Sequence, residues 1–260
     1  MKKFLEEAKQ EKGNIVVCAI AEFIIYLAAT FGFSDYVLGT LFFKKSGYVD
    51  DVRIPGTAVS SYIIPGLFIA STYLKGNVGC DPLTMILCVV IYTIGTIVGS
   101  RLVVTFDATR IKKIIGYAML FSMLALVARL IISAGVSGTA NGLHGWQFVV
   151  MLPIIFVLGI FNMMGVPMKP PLMSLFLLMG VSPLVTLTIL MCMAVPAPIA
   201  GSISIFKSGR YQKKIFCCAA TFGSLGAIIG GYFALNVNTL VLTIVLMIAM
   251  AYVAYSMLKK

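Results

Sequence analysis

The chain has 260 residues, of which 60% are hydrophobic and only 11% charged, with a mean hydropathy of +1.03. That balance leaves too few polar side chains to coat a water-facing globule, so the expected solvent is lipid. The formal charge of +11 would suggest nucleic acid for a soluble protein, but here Lys and Arg fall in short segments between apolar runs, where they orient a membrane chain.

Residues 1–13, MKKFLEEAKQEKG, combine basic residues with three glutamates and lead into an apolar run without a small-residue cleavage site. They read as a retained cytoplasmic segment, not a signal peptide. The next unit is irregular: an apolar stretch at 14–32, a break at TFGFSDY (30–36), and a second stretch at 33–43. Glycine and two capping residues prevent one straight helix there. Spans long enough for a hydrocarbon core, about 20 apolar residues, follow at 54–74, 82–104 and 113–134.

A linker at 135–146 carries the single histidine, His144, in a glycine-rich setting that reads as a solvated loop. The pattern then begins again. Stretches 147–165 and 167–179 flank the break GVPMKPP (165–171), and spans follow at 183–205, 213–235 and 238–257. Three prolines enforce the second break. Six cysteines, at 18, 80, 88, 192, 217 and 218, have no CxxC spacing, so neither disulfides nor a metal cluster are expected.

The restart is a duplication. IGTIVGSRLV (94–103) and LGAIIGGYFA (225–234) share a small-residue pattern 131 positions apart, Pro65 falls on Pro196 at that offset, and aligning Gly32 with Gly165 puts Gly47 on Gly180. The expected fold is therefore an all-α polytopic membrane protein with an inverted repeat of two halves, 14–134 and 147–260. Each half is a broken-helix hairpin plus three transmembrane helices, and both form one membrane domain.

The charge count fixes the expected orientation. If each broken unit returns to its starting side, the inside holds four Lys and Arg from the N-terminal segment, three from 44–53, four from 101–113, four from 207–214 and two from the C-terminus, 17 of the 20. Single crossings give 11 inside against 7 outside. The positive-inside rule prefers hairpins, an odd number of crossings per half, and cytoplasmic termini in a cell (inner) membrane. Inverted repeats with discontinuous helices hold solutes near the midplane, where unwound backbone and half-helix ends are exposed.

GVPMKPPLMSLFLLMGVSPLVTLTIL (165–190), the basic turn KSGRYQKK (207–214), the glycine-spaced GSLGAIIGGYFA (223–234) and a closing apolar helix succeed one another in an order that resembles the TauE/SafE family of sulfite and organosulfonate exporters. The first half repeats it through GTAVSSYIIPGLFIASTYLKGNVG (56–79) and IGTIVGSRLV. The resemblance implies a permease for sulfite, a sulfonate such as sulfoacetate, or a related small anion, working in the export direction.

Four ionisable residues, Glu22, Asp35, Arg129 and Lys169, lie within apolar segments, and their formal charges cancel. Each costs roughly 2.5–3.5 kcal/mol at a helix centre and needs a partner, water or an interface. Lys169 follows Pro167 near the start of a half-helix, where free N–H groups and the helix dipole favour an anion. Two roles are open to it: direct contact with a solute, or an internal ion pair with Asp35 or Glu22.

Asp35 and Tyr36 correspond in the repeat to Met168 and Lys169, so a pseudo-two-fold axis would bring the breaks together, and a solute is expected to meet the chain around Asp35, Tyr36 and Lys169, with Ser34 as a further binding candidate. Ser34 is placed to cap the half-helix behind the first break. Glu22 and Asp35 are candidates for coupling to a proton or Na⁺, with capping or pairing as the plainer role. Arg129, near a span end, reads as a structural charge able to snorkel. Ser60 and Ser61, with Thr57, and Asn162 before the second break, are candidates to line a solute path, although such residues also serve helix contacts. The glycines at 95, 99, 226 and 230 point to close helix packing. Met163, Met164 and Met168 offer adaptable packing that would tolerate a sulfur-containing solute.

The partners expected are thus a small anionic solute and the bilayer, with coupling to a proton or Na⁺, passive uniport and a homo-oligomer left open, and no nucleic acid, metal or cofactor. The chain contains no GxxxxGK[ST], HExxH or GxSxG motif, so ATP-driven or enzymatic chemistry is not expected. The alternative is a membrane scaffold or assembly subunit without transport activity.

Overall fold

Asn14 starts the first membrane helix by accepting the Val16 N–H on its side chain at 2.9 Å. Ser34 does the same for the next, accepting from Val37 at 3.3 Å. Between them Gly32 adopts φ +89°, a conformation that side chains with a Cβ resist, and the chain breaks there. The computed structural model describes residues 2–76, 78–102, 138–162 and 168–236, and isolated positions between 238 and 255. The helices are α1 (Lys2–Gln10), α2 (Ile15–Thr30), α3 (Asp35–Ser46), α4 (Ile54–Ser61), α5 (Ile63–Lys75) and α6 (Pro82–Leu102). After the linker come α7 (Trp146–Asn162), α8 (Lys169–Leu178), α9 (Pro183–Met193), α10 (Pro196–Ser208), α11 (Lys213–Cys218), a π-helical turn (Ala219–Gly223), and α12 (Ser224–Asn236).

No strand is found among the described residues, and three stretches, Pro82–Gly99, Pro183–Ala200 and Lys213–Asn236, are long and apolar enough to cross a bilayer. Ile20 and Ile24 of α2, Ile86 of α6 and Phe233 of α12 are at least 56% exposed. An apolar exterior of this kind suits lipid, not water.

Two expected straight spans are interrupted. Residues 54–74 divide at Tyr62 and 183–205 divide at Ala194 and Val195. The cause is the repeated proline: Pro65 and Pro196 have no N–H for the carbonyl four residues back, and each ring crowds that carbonyl. The equivalence of these prolines was readable; that they would interrupt two spans was not anticipated. The spans expected at 113–134 and 238–257 lie largely outside the described residues.

Long helices of each half pack on the hairpin helix of the other: α6 on α7, and α12 on α2. Glycines form both seams. A Cβ on Gly95 would come within 2.3 Å of the Phe156 carbonyl oxygen, and one on Gly226 within 2.2 Å of the Phe23 carbonyl oxygen. Gly99 and Gly230 stand likewise against Ile160 and Leu27. Absent side chains let the backbones approach.

The polar residues gather at the helix ends. At one end, Gln212 donates to the carbonyls of Lys12 and Tyr48, both at 2.9 Å. Lys214 reaches the carbonyls of Glu11 and Gly13, while Lys213 pairs with Glu7. This network clamps α1 against the start of α11. At the start of α6, Asp81 accepts from the Thr84 N–H at 2.8 Å, and its own N–H donates to Asn141 of the linker at 2.9 Å. The far end of α12 lies against the end of α5, where a Cβ on Gly76 would meet Leu235.

Candidate functional site

The two hairpin breaks deliver their charges to one place. Asp35 opens α3 and Lys169 opens α8, and the Lys169 Nζ donates to Asp35 Oδ1 at 2.7 Å. Their side chains are only 8% and 13% exposed, so an ion pair with little water around it joins the halves. Of the roles open to Lys169, the structure shows the pair with Asp35. The ammonium also stands 4.3 Å from the Tyr62 ring centroid, a cation–π contact that supplements the carboxylate.

Beside this pair lies an open-mouthed cavity with about 60 Å³ accessible to the centre of a water molecule. Ser34, Asp35 and Tyr36 contribute the first break to its wall, and Asn162, Met168 and Lys169 flank the second. Ala58, Val59 and Tyr62 come from the first kinked span, Ala194 and Pro198 from the second, and Tyr92 from α6. Residues at or beside these four interruptions therefore line one space.

The serines expected on this wall behave differently. Ser60 donates to the Thr57 carbonyl at 3.2 Å and does not line the cavity. At about 100° per residue, Ala58 and Tyr62 share a face and Ser60 points nearly opposite. Ser61 is buried without a hydrogen-bond partner among the described residues and is likewise not a lining residue. Thr57 is structural: it donates to the Arg53 carbonyl at 2.8 Å and accepts from the Gln212 N–H at 3.0 Å. Glu22 is 1% exposed, outside the cavity wall, with Oε1 unpartnered among the described residues. It stands within electrostatic reach of Asp35 and is not paired with Lys169. Arg129, Met163 and Met164 lie outside the described residues.

Two residues passed over in the sequence matter here. The Tyr62 and Tyr92 hydroxyls are buried, donate to no acceptor among the described residues, and belong to cavity-lining side chains; the Tyr62 oxygen stands beside the Lys169 ammonium. A buried phenol O–H lacking an acceptor costs free energy, and a ligand acceptor would satisfy it. The available signal for Tyr62 was its position three residues before Pro65, where the helix opens. Tyr92 carried no comparable mark.

The site thus offers one ammonium, one carboxylate, the Tyr62 and Tyr92 O–H donors without an acceptor among the described residues, the polar side chains of Ser34, Tyr36 and Asn162, and apolar side chains between them. That set suits a small solute bearing an oxyanion. Among the described residues no group of three His, Cys, Asp or Glu side chains stands together. The Cys18 and Cys218 thiols meet between α2 and α11, and all six cysteines are free. No family model, curated protein or solved structure matches the chain.

Proposed function

We propose that this chain is a secondary transporter of a small anion, sulfite or an organosulfonate, exporting it across the cell (inner) membrane by alternating access of two inverted halves. The observation that carries the reading is the buried Asp35–Lys169 pair beside a cavity walled by two phenols whose O–H groups lack an acceptor among the described residues. An oxyanion satisfies both hydroxyls and competes with Asp35 for the ammonium. The preference for sulfite or a sulfonate, and for export, comes from the TauE/SafE resemblance.

The exchange of partners between α6–α7 and α12–α2 supports the repeat. Its inversion is supported by the helix ends. The α11 start neighbours Glu11 and Gly13, before α2, while the α12 end neighbours Gly76, after α5. The α6 start follows shortly and meets Asn141, next to the start of α7. The two hairpins accordingly begin at opposite ends of the bundle, and the Lys and Arg count makes the α2 end cytoplasmic.

Uptake of sulfite, sulfonates and carboxylates into proteoliposomes tests the proposal. At least one sulfur oxyanion is expected to accumulate with the wild type and not with Lys169→Met/Asp35→Asn. A scaffold would leave every solute outside in both.

A further inference from the structure

We infer that binding of the anion is coupled to uptake of one proton by Asp35, making the transported unit an anion with a proton. The inference rests on the proposed anion site and specifies its driving ion. In the structure the Asp35 carboxylate is neutralised by Lys169 at 2.7 Å, and the two side chains are 13% and 8% exposed. The cavity pair is formally neutral. An oxyanion that takes the Lys169 ammonium leaves two anionic groups facing one cation, with three tyrosines, Ser34 and Asn162 as the only other polar lining and alanines, valine, methionine and proline for the rest.

A buried carboxylate stripped of its counter-ion neutralises itself instead of staying charged in low dielectric. The proton comes from water at the cavity mouth and adds to a carboxylate oxygen of Asp35, and no covalent bond of the solute changes. Anion plus proton restores zero net charge, so the loaded site is as easily enclosed as the empty one.

The groups surrounding Asp35 make it the acceptor. Lys169 of α8 is the cation in contact, Tyr36 shares its helix, Tyr62 stands at the α4–α5 kink, and Tyr92 comes from α6. Glu22 and Tyr26 of α2 lie within electrostatic reach. Among these only Glu22 offers a second carboxylate, and it does not contact Lys169, so displacement by an anion does not remove a partner from it.

The test uses the purified full chain in weakly buffered detergent with a pH dye, and ethanesulfonate, which remains ionised and brings no proton. The wild type is expected to take up about one proton per bound anion near neutral pH, with affinity falling about tenfold per pH unit above it. Glu22→Gln keeps the uptake. Asp35→Asn binds without it and loses the pH dependence. Bound ethanesulfonate with no proton uptake by the wild type, a Na⁺ requirement in its place, or uptake lost in Glu22→Gln but kept in Asp35→Asn overturns the inference alone. Should ethanesulfonate, sulfite and carboxylates all fail to bind, the anion site is refuted and the coupling with it.

Discussion

The α6–α7 and α2–α12 seams are built alike, whereas the two helix breaks they support are chemically opposite. In both seams a pair of glycines four residues apart on the long helix receives the backbone of the other half's hairpin. At the breaks, the first half supplies an acid at Asp35 and the second a base at Lys169, one residue out of register in the repeat. The tyrosines at the seams also differ: Gly159 of α7 faces the backbone carbonyl of Tyr92 of α6, while Gly223 of the π-helical turn faces the ring of Tyr26 of α2. Only Tyr92 of these two tyrosines reaches the cavity wall. The two seams share one packing device, and the chemical differences between the two sides fall at the breaks.

The sharpest way to break this comparison is to remove one charge. Lys169→Met leaves Asp35 buried and alone, and a stability loss of about 3 kcal/mol or more is expected. Lys169→Met/Asp35→Asn should recover most of that loss without recovering transport. Denaturation of both variants in detergent, read beside uptake, separates the pair's part in folding from its part in binding.

A smaller and symmetrical effect is expected in the seams. Gly95→Ala and Gly226→Ala each put a methyl into a facing carbonyl, at a cost of about 1–3 kcal/mol through overpacking. The two losses should be similar, and a large loss at one with none at the other would show that the seams are not equivalent.

At the breaks, Ser34→Ala removes a helix cap and should cost about 1 kcal/mol. Ser60→Ala lies on the far face of its helix and should cost under about 0.5 kcal/mol with uptake unchanged.

The mildest difference concerns the helix starts. Asp81 and Gln212 are equivalent at the repeat offset, but only Asp81 titrates. Hydrogen bonds from the Thr84 hydroxyl and N–H hold its carboxyl below the usual range. A lowered folded-state pKa stabilises above the unfolded value and is lost as pH falls through the folded one. Asp81→Asn should therefore flatten a small acid limb of the melting curve, and Gln212→Asn should not.

Local backbone chemistry was legible in the sequence. Gly32 with Ser34 marked the first break and a cap, the prolines at 167, 170 and 171 marked the second, and the spacing of Gly95, Gly99, Gly226 and Gly230 marked close packing. The charges at the breaks were legible because charges in apolar segments are rare. Helix phase was not: the whole 54–74 stretch is apolar enough that nothing distinguishes the Ser60 face from the Tyr62 face until neighbours are known. Tyr62 and Tyr92 escaped for a related reason, since a phenol in an apolar run reads as packing until its hydroxyl is seen without an acceptor.

The central claim, that the joined breaks form an oxyanion site, is tested most directly by solute-dependent melting of the purified wild type and of Lys169→Met/Asp35→Asn. At a concentration 100 times its dissociation constant, a bound anion stabilises by about 2.7 kcal/mol. Sulfite or a sulfonate is expected to raise the wild-type melting temperature and leave the double variant unmoved. No shift with any anion, or the same shift in both proteins, would contradict the account.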